Sequence, residues 1–384
     1  MPHPFFLAKR PWSKYKDSIL RFYLEPYIAK VAKLKKPILI VDCFAGCGAF
    51  GDGEPGSPLI IAPLVKKWAE KGVNVRDEFI EADADNFQSL KKCLQPYADF
   101  VTTHHGSFEA HLPGLAQRAK DNTVFLYVDP YTVKGLVFDR MKAVYDQIHR
   151  TRASVELLLN FNAGTFMRWA LAALKRQGEV MREDESEVDF LADDPAERVE
   201  MTELDSIAGG DYWRGIAELS TAGFPEKVAL FTDRYRHCLL RSFTYAASYE
   251  VKDKYEHRLP KYALIFCTRH PDGVELMNDA MCNARQAFLG SQFRTNSLFD
   301  MTPDEEVSDT GQLKNDLRGY LADGRMTREG LRHRALLQNF CRFHTKDVNR
   351  AIGELLKAGV LFSNTGKTKV NDKVVLSAIS FGQK

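Results

Sequence analysis

The chain has 384 residues, 45% of them hydrophobic and 27% charged, with a net charge of +2. That is enough chain to bury a sizeable core in about two or three domains. No stretch approaches the roughly 18–20 uninterrupted apolar residues of a membrane-spanning helix, and the opening MPHPFFLAKRPW lacks an apolar core followed by a cleavage site, so a soluble, cytoplasmic protein is expected.

The seven cysteines are odd in number and never form paired Cys-x-x-Cys clusters, so neither a disulfide framework nor a four-ligand zinc site is indicated, and no metal is expected. Cys43 and Cys47 read as small buried hydrophobes. Charge is unevenly spread. Residues 179–205 hold twelve acids against two arginines, a balance of −10, whereas residues 311–384 hold fourteen Lys and Arg against six Asp and Glu, a balance of +8. The first reads as a solvated acidic helical insertion at about 176–215, the second as a basic tail able to approach phosphate.

In chain order, SKYKDSILRFYLEPYIAKVAKL predicts a helix with Ile19, Phe22, Tyr23, Pro26 and Tyr27 on one stripe and a kink at Pro26. The apolar run PILIVDCFAG predicts a strand, followed by a glycine-rich loop and a helix with Ser57 as N-cap and Pro58 at its first position. Further strands are expected at 77–83, 99–108, 123–131 and 154–161 with helices between them, and two late segments, SFTYAASYEV and HRLPKYALIFCTRH, pair antiparallel at the far edge. Strands alternating with helices argue an α/β fold with a doubly wound, Rossmann-like parallel sheet, covered on both faces.

In such a sheet the ligand sits beyond the carboxyl ends of the strands, where strand order reverses. The loop from Asp42 through Phe44, Gly46 and Gly48 occupies that place. It is a poor dinucleotide fingerprint, because the third glycine falls at Gly51, and no Lys-Ser/Thr follows as a phosphate loop requires. An acid directly before the turn suits a ligand with a cationic end, although a glycine turn is structural about as often as functional. Glu81 and Asp83 end the second strand, where a carboxylate accepts ribose hydroxyls, or else caps a helix. After the third strand, Ser107 and Phe108 offer a small polar group and a ring to an adenine. The fourth strand ends in Asp129-Pro130-Tyr131: a carboxylate and a proline carbonyl side by side accept hydrogen bonds from an exocyclic amine, and the ring stacks on a planar base. This suits methyl transfer to a base amino group, though Asp-Pro is also a common turn starter.

DCFAGCG with DGEPGSPL, then FIEADADNF, FLYVDPYTVKGLVF, ELLLNFNAGTFMRW and KYALIFCTRHPDGVELMNDAM, in that order over about residues 12–290, resemble the three-Cys-motif partner protein family, and more distantly the ribosomal RNA adenine-N6 methyltransferases. The resemblance implies an S-adenosylmethionine-dependent methyltransferase-like fold and, as partner, a radical-SAM-type protein carrying three cysteines of its own. It implies that Asp42, Phe44, Gly46 and Gly48 form the cofactor loop, that Glu81 and Asp83 lie at the ribose end, and that Asp129, Pro130 and Tyr131 stand where amino-methylating enzymes write Asp/Asn/Ser-Pro-Pro-aromatic. This chain has one proline there. Ser107 stands where many relatives of this fold carry an acid.

The C-terminal segment reads as a separate domain at 305–384, after a methyltransferase-like domain at 1–300. QLKNDLRGYLADG, EGLRHRALLQNF and TKDVNRAIGELLKAG predict three helices, and VLFSNTGKTKVNDKVVLSAIS a hairpin, together resembling a winged helix-turn-helix. In the third helix Val348, Ile352, Leu355 and Leu356 face inward, while Lys346, Arg350 and Lys357 share the outer face, and Gly359 is placed to cap it. Such a helix enters a major groove with Lys367 and Lys369 on phosphates, or docks protein instead. The expected function is therefore S-adenosylmethionine-dependent methylation of an amino nitrogen of a nucleic-acid base. The rival expectations are a non-catalytic scaffold that docks the three-cysteine protein through the acidic insertion, and a DNA-binding defence or regulatory protein.

Overall fold

The buried strand runs assemble into a seven-stranded sheet of order β3-β2-β1-β4-β5-β7-β6. The computed structural model describes residues 9–151, 154–175, 199–252, 258–296, 310–322 and 324–379. β1 (Ile38–Asp42), β2 (Val75–Glu81), β3 (Val101–His105), β4 (Thr123–Val128) and β5 (Ser154–Phe161) are parallel; β7 (Tyr262–Thr268) runs antiparallel to β5, and β6 (Tyr245–Val251) antiparallel to β7. Every residue of β1, β4 and β7 is buried, as strands covered on both faces require. β3, at one edge, is half exposed and carries polar Thr-Thr-His-His, which discourages pairing with another chain. The register sets Asp42 beside Phe79 of β2 and Tyr127 of β4, so β1 stands where strand order reverses. This is a mixed, mostly parallel α/β sheet of the doubly wound, Rossmann-like kind, with its switch point between β1 and β4.

Alternation along each strand assigns the two faces. Leu39, Val41, Val124, Leu126, Val128, Leu157 and Leu159 point into a large core with α4 (Phe108–Arg118), α5 (Phe138–Thr151), α6 (Ala163–Ala173), α7 (Met201–Ala208) and α9 (Phe224–Leu239). The opposite face is covered by α1 (Pro11–Val31), α2 (Ser57–Ala69) and α3 (Ala84–Leu94). On that face Tyr23 and Tyr27 stack on one another and pack on Phe125, and the Tyr23 hydroxyl donates to Glu156.

Two local expectations shift. α1 runs through Pro26, and its buried stripe is Tyr15, Ile19, Leu20, Tyr23, Leu24, Tyr27 and Ile28; Phe22 and Pro26 lie on the exposed side, where the carbonyl that Pro26 cannot engage can turn to water. The segment expected as a solvated acidic insertion falls at 176–198 outside the described residues, but its end forms α7 and, after a turn, α8 (Tyr212–Glu218). Leu204, Ile207, Ala208 and Trp213 there are fully buried, and the Trp213 indole donates to Asp205 at 2.8 Å.

The chain divides into two compact units, Met1–His270 and Pro271–Lys384. α10 (Pro271–Asn296), placed by sequence in the first domain, belongs to the second unit, because its side chains fasten a helical turn there: Asn278 accepts from the Cys341 amide at 2.9 Å and donates to the Phe343 carbonyl at 2.8 Å. The rest of this unit is α11 (Thr310–Tyr320), β8 (Met326–Thr327), α12 (Arg328–Gln338), α13 (Thr345–Lys357), β9 (Phe362–Ser363) and β10 (Val375–Ser377), with an antiparallel sheet of order β8-β10-β9. β8 has no counterpart in the sequence reading; two residues carry no periodic signal. Val348, Ile352, Leu355 and Leu356 are buried, and Gly359 adopts φ +67 after α13.

Candidate functional site

The tips of β1, β2 and β4 carry the chemistry. The ladder continues past the strand ends, with the Cys43 amide donating to the Tyr127 carbonyl (2.9 Å) and the Ala45 amide to the Ile80 carbonyl (2.9 Å), which hangs the glycine loop between the two neighbouring strands. Gly46 and Gly48 sit at φ +66 and +88. A Cβ on Gly48 would stand 3.0 Å from Cys93 Cβ, so this position requires glycine for both its backbone and its space. Gly56 closes the loop by donating to the Gly48 carbonyl at 2.8 Å.

Asp42 is fully buried. Its carboxylate accepts from the Phe44 amide at 3.2 Å and from the Ser57 hydroxyl at 2.6 Å. The sequence places Asp42 against a cationic ligand and Ser57 as a helix cap. Instead the cap position is Gly56, Ser57 opens α2, and its hydroxyl is drawn to Asp42, so the acid braces the loop from beneath. Burial, reinforced by Asp129 and Glu81 and opposed by the Ser57 and Phe44 bonds, pushes Asp42 up to about 7.

Glu81, 6% exposed, accepts from the Gly46 amide at 2.7 Å through Oε2 and from the Asp83 amide at 2.8 Å through Oε1. Burial raises it despite these bonds. Each oxygen keeps a second lone pair for a ligand hydroxyl. Asp83 is exposed and caps α3, its Oδ1 accepting from the Asn86 amide at 2.8 Å. Ser107 is exposed at the start of α4. Phe108 is buried in the core, tilted against Phe44 with ring centroids 5.7 Å apart, so it supports the loop from behind and offers no face to an adenine.

Asp129 emerges from β4 into four hydrogen bonds. Oδ1 accepts from Lys16 Nζ (2.7 Å) and Asn160 Nδ2 (2.6 Å), and Oδ2 from Lys16 Nζ (2.5 Å) and the Tyr127 hydroxyl (3.0 Å). A carboxylate offers about four lone-pair positions, and all are filled by protein donors. The sequence reading left this carboxylate open to an acceptor amine; here α1 and β5 supply the partners that local sequence conceals. Asn160, a polar residue near the end of an apolar strand, was findable by the same strand-end logic that selected Asp129. Lys16 carries no local signal. Its ammonium also lies 5.4 Å from the centroid of the Tyr262 ring. Pro130 packs on Gly135, where a Cβ would come within 2.9 Å. Burial first, then Glu81, Cys47, Asp129 and Asp42, drive the Tyr131 phenol well above its ordinary range.

No known family's sequence profile matches the chain, and no curated protein matches it in sequence. Among solved structures, a methyltransferase from Geobacter sulfurreducens is similar at 18% identity, over 35% of this chain and 58% of its own, with a TM-score of 0.21. A putative caffeoyl-CoA O-methyltransferase from Staphylococcus aureus is similar at 9% identity, over 64% and 82%, with a TM-score of 0.29. A Legionella pneumophila protein is similar at 14% identity, over 44% and 76%, with a TM-score of 0.32. At these scores the strand order and the site geometry, rather than the neighbours, carry the functional reading.

The residues fit S-adenosylmethionine. Glu81 retains acceptor capacity beside the loop, and the acids at the tips of β1, β2 and β4 favour a ligand that carries positive charge. A phosphate-rich dinucleotide would meet the same acids with repulsion. Among the described residues no helix is long and apolar enough to cross a membrane, and none of the His, Cys, Asp and Glu groups could hold a metal ion.

The five basic residues singled out by sequence in the second unit are all exposed: Lys346, Arg350 and Lys357 on α13, Lys367 and Lys369 between β9 and β10. Arg350 pairs with Asp347 at 3.3 Å. α12 faces inward with its charge: Arg332 is held by Glu275 (2.6 Å) and by both Asp372 oxygens (2.8 and 3.2 Å), and Arg328 by Asn349 (2.8 Å) and Asp372.

Proposed function

We propose that the protein is an S-adenosylmethionine-dependent methyltransferase acting on an amino nitrogen of a nucleic-acid base. The observation that carries this reading is that Asp42, Glu81 and Asp129 stand at the tips of the adjacent strands β1, β2 and β4, at the strand-order reversal, beside a glycine loop whose Gly46 amide is held by Glu81. S-adenosylmethionine supplies an activated methyl group with a good, neutral leaving group, so the protein's part is position and electrostatics. Glu81 holds ribose hydroxyls, the Gly46–Gly48 backbone gives close approach, and buried Asp42 fixes the loop and adds negative potential. Asp129 and the Pro130 carbonyl orient the acceptor amine, and Tyr131 stacks on its base. The second unit is read as a winged helix that brings α13 and the lysines between β9 and β10 to the nucleic-acid backbone.

Calorimetry with S-adenosylmethionine tests the reading. Micromolar binding is expected, weakened about tenfold or more by Glu81→Ala; no binding at millimolar cofactor overturns it. Asp129→Ala is expected to abolish transfer of tritiated methyl to nucleic acid while leaving cofactor affinity near the parent's.

One observation favours a second reading. Because Asp129 is saturated by Lys16, Asn160 and Tyr127, the fold would also serve as a non-catalytic scaffold for a three-cysteine radical-SAM-type partner. Isolation of a stable complex with no labelled product from DNA or RNA would select it.

A further inference from the structure

We infer that Lys16 is a cationic latch on the acceptor side of the site, released by a phosphate of the substrate, so that the methyl acceptor is a phosphate-bearing nucleotide and not a free base or nucleoside. The inference rests on the methyltransferase reading above and specifies its substrate.

For Asp129 to receive an amino group, one of its donors must leave. Tyr127 is buried on β4, with its hydroxyl on Asp129, and Asn160 is set in β5 on the neighbouring strand; both are fixed by the sheet. Lys16 reaches in from α1 on a flexible four-carbon stem, and it alone of the three can withdraw its donor by rotating side-chain bonds while the backbone stays in place. The pair is covered, with side chains 10% and 20% exposed. A neutral exocyclic amine that took the lysine's place would leave an ammonium without its anion in a poorly hydrated site, and cations so placed are strongly disfavoured. The substrate must therefore bring an anion within reach of the withdrawn ammonium. A phosphate flanking the target base does this, and lysine binds phosphate as a point charge. The acids around the exchange, Asp42, Glu81 and Asp129 from the sheet and Asp17 from α1, bond Ser57, Gly46, Asn160 and Lys9 respectively; an ammonium that turned to one of them instead of to a phosphate would leave the protein with no preference for a phosphorylated acceptor, which the comparison of acceptors reads.

The test uses the full chain with tritiated S-adenosylmethionine and three acceptors of one base: the nucleoside, its 5′-monophosphate and a short oligonucleotide, each for adenine and for cytosine. Affinity for the nucleoside and the monophosphate is measured in parallel by calorimetry, which does not depend on turnover. The parent protein is expected to prefer the monophosphate over the nucleoside by about tenfold or more, in labelling and in affinity. Lys16→Met is expected to bring that ratio close to one, and Lys16→Arg to restore it. Equal use of both acceptors by the parent, or an unchanged ratio in Lys16→Met, overturns the latch. A Lys16→Met protein that loses cofactor affinity at an unchanged acceptor ratio places the ammonium on the cofactor and also overturns it. If no acceptor is labelled, the methyltransferase reading fails, and the affinity ratio still decides the latch.

Discussion

Two clusters of charge, one in each unit, respond to burial in opposite ways. In the second unit Arg332 is satisfied on all sides: its charge is stabilised against burial by Asp372 and Glu275, Asp372 is held below the usual carboxylate range by Arg332, and Glu275, though half covered, is held low by His333 and Arg332. In the first unit Asp42 and Glu81 rise, and Lys16 is bonded to Asp129 alone of the three acids. A balanced cluster is a structural joint, here pinning the segment before β10 to α10 and α12. An under-compensated one is poised for a ligand of opposite charge. Under the proposed function, the contrast separates charges that only hold the fold from acids that also set the potential of the site.

The sharpest way to break the contrast is Arg332→Met. It removes the cation that Glu275 and Asp372 share, leaving His333 on the first and Arg328 on the second, and the second unit is expected to lose about 2–3 kcal/mol in denaturant unfolding. Asp42→Asn comes next. An acid raised to about 7 when folded binds its proton more tightly in the folded state than in the unfolded one, so between about pH 4 and 7 stability falls as pH rises. Asparagine keeps the Phe44 amide on Oδ1 and reverses the Ser57 bond, its Nδ2 donating to the hydroxyl oxygen, without the charge; the variant is expected to flatten that slope and gain about 2 kcal/mol at pH 8, read from melts across pH. Parent affinity for S-adenosylmethionine is expected to rise from pH 6 to 8 as Asp42 ionises, and the variant's to stay flat. Gly48→Ala, forced to φ +88 against Cys93, is expected to cost about 1.5 kcal/mol and to weaken cofactor binding. The smallest effect on folding belongs to Lys367→Ala with Lys369→Ala: exposed residues whose removal changes stability by under about 0.5 kcal/mol, while the salt dependence of nucleic-acid binding is expected to lose about one unit of slope per lysine.

The parallel sheet was legible because its strands are buried on both faces and so stand out as apolar runs; Ile38–Asp42 and Thr123–Val128 fall inside the segments read from sequence. The strand-end acids were legible by position. Their roles were not, because burial and long-range partners decide them. Asp42 and Glu81 differ by a few per cent in exposure, yet Asp42 faces Ser57 and Glu81 faces the loop amides. Phe108 follows a strand as a ligand-facing ring would, but the first turn of α4 rotates it onto Phe44. Lys16 meets Asp129 across 113 positions of chain, a separation at which no spacing rule operates. In α1, the stripe through Ile19, Tyr23 and Tyr27 was readable, but its centre lies rotated toward Leu20, Leu24 and Ile28, which moves Phe22 and Pro26 to water.

The tip of the glycine loop is riveted to the start of α1: the Lys9 amide donates to Asp52 at 2.9 Å, the Lys9 side chain reaches Asp17 and the Pro55 carbonyl, and Lys14 pairs with Glu54 at 3.0 Å. Cradle and latch therefore share one anchorage, and a disturbance at the amino end should be felt by both at once. For anyone preparing the protein, affinity handles belong at the carboxyl end, because trimming or crowding the residues around Lys9 would loosen the glycine loop and the first turns of α1 together.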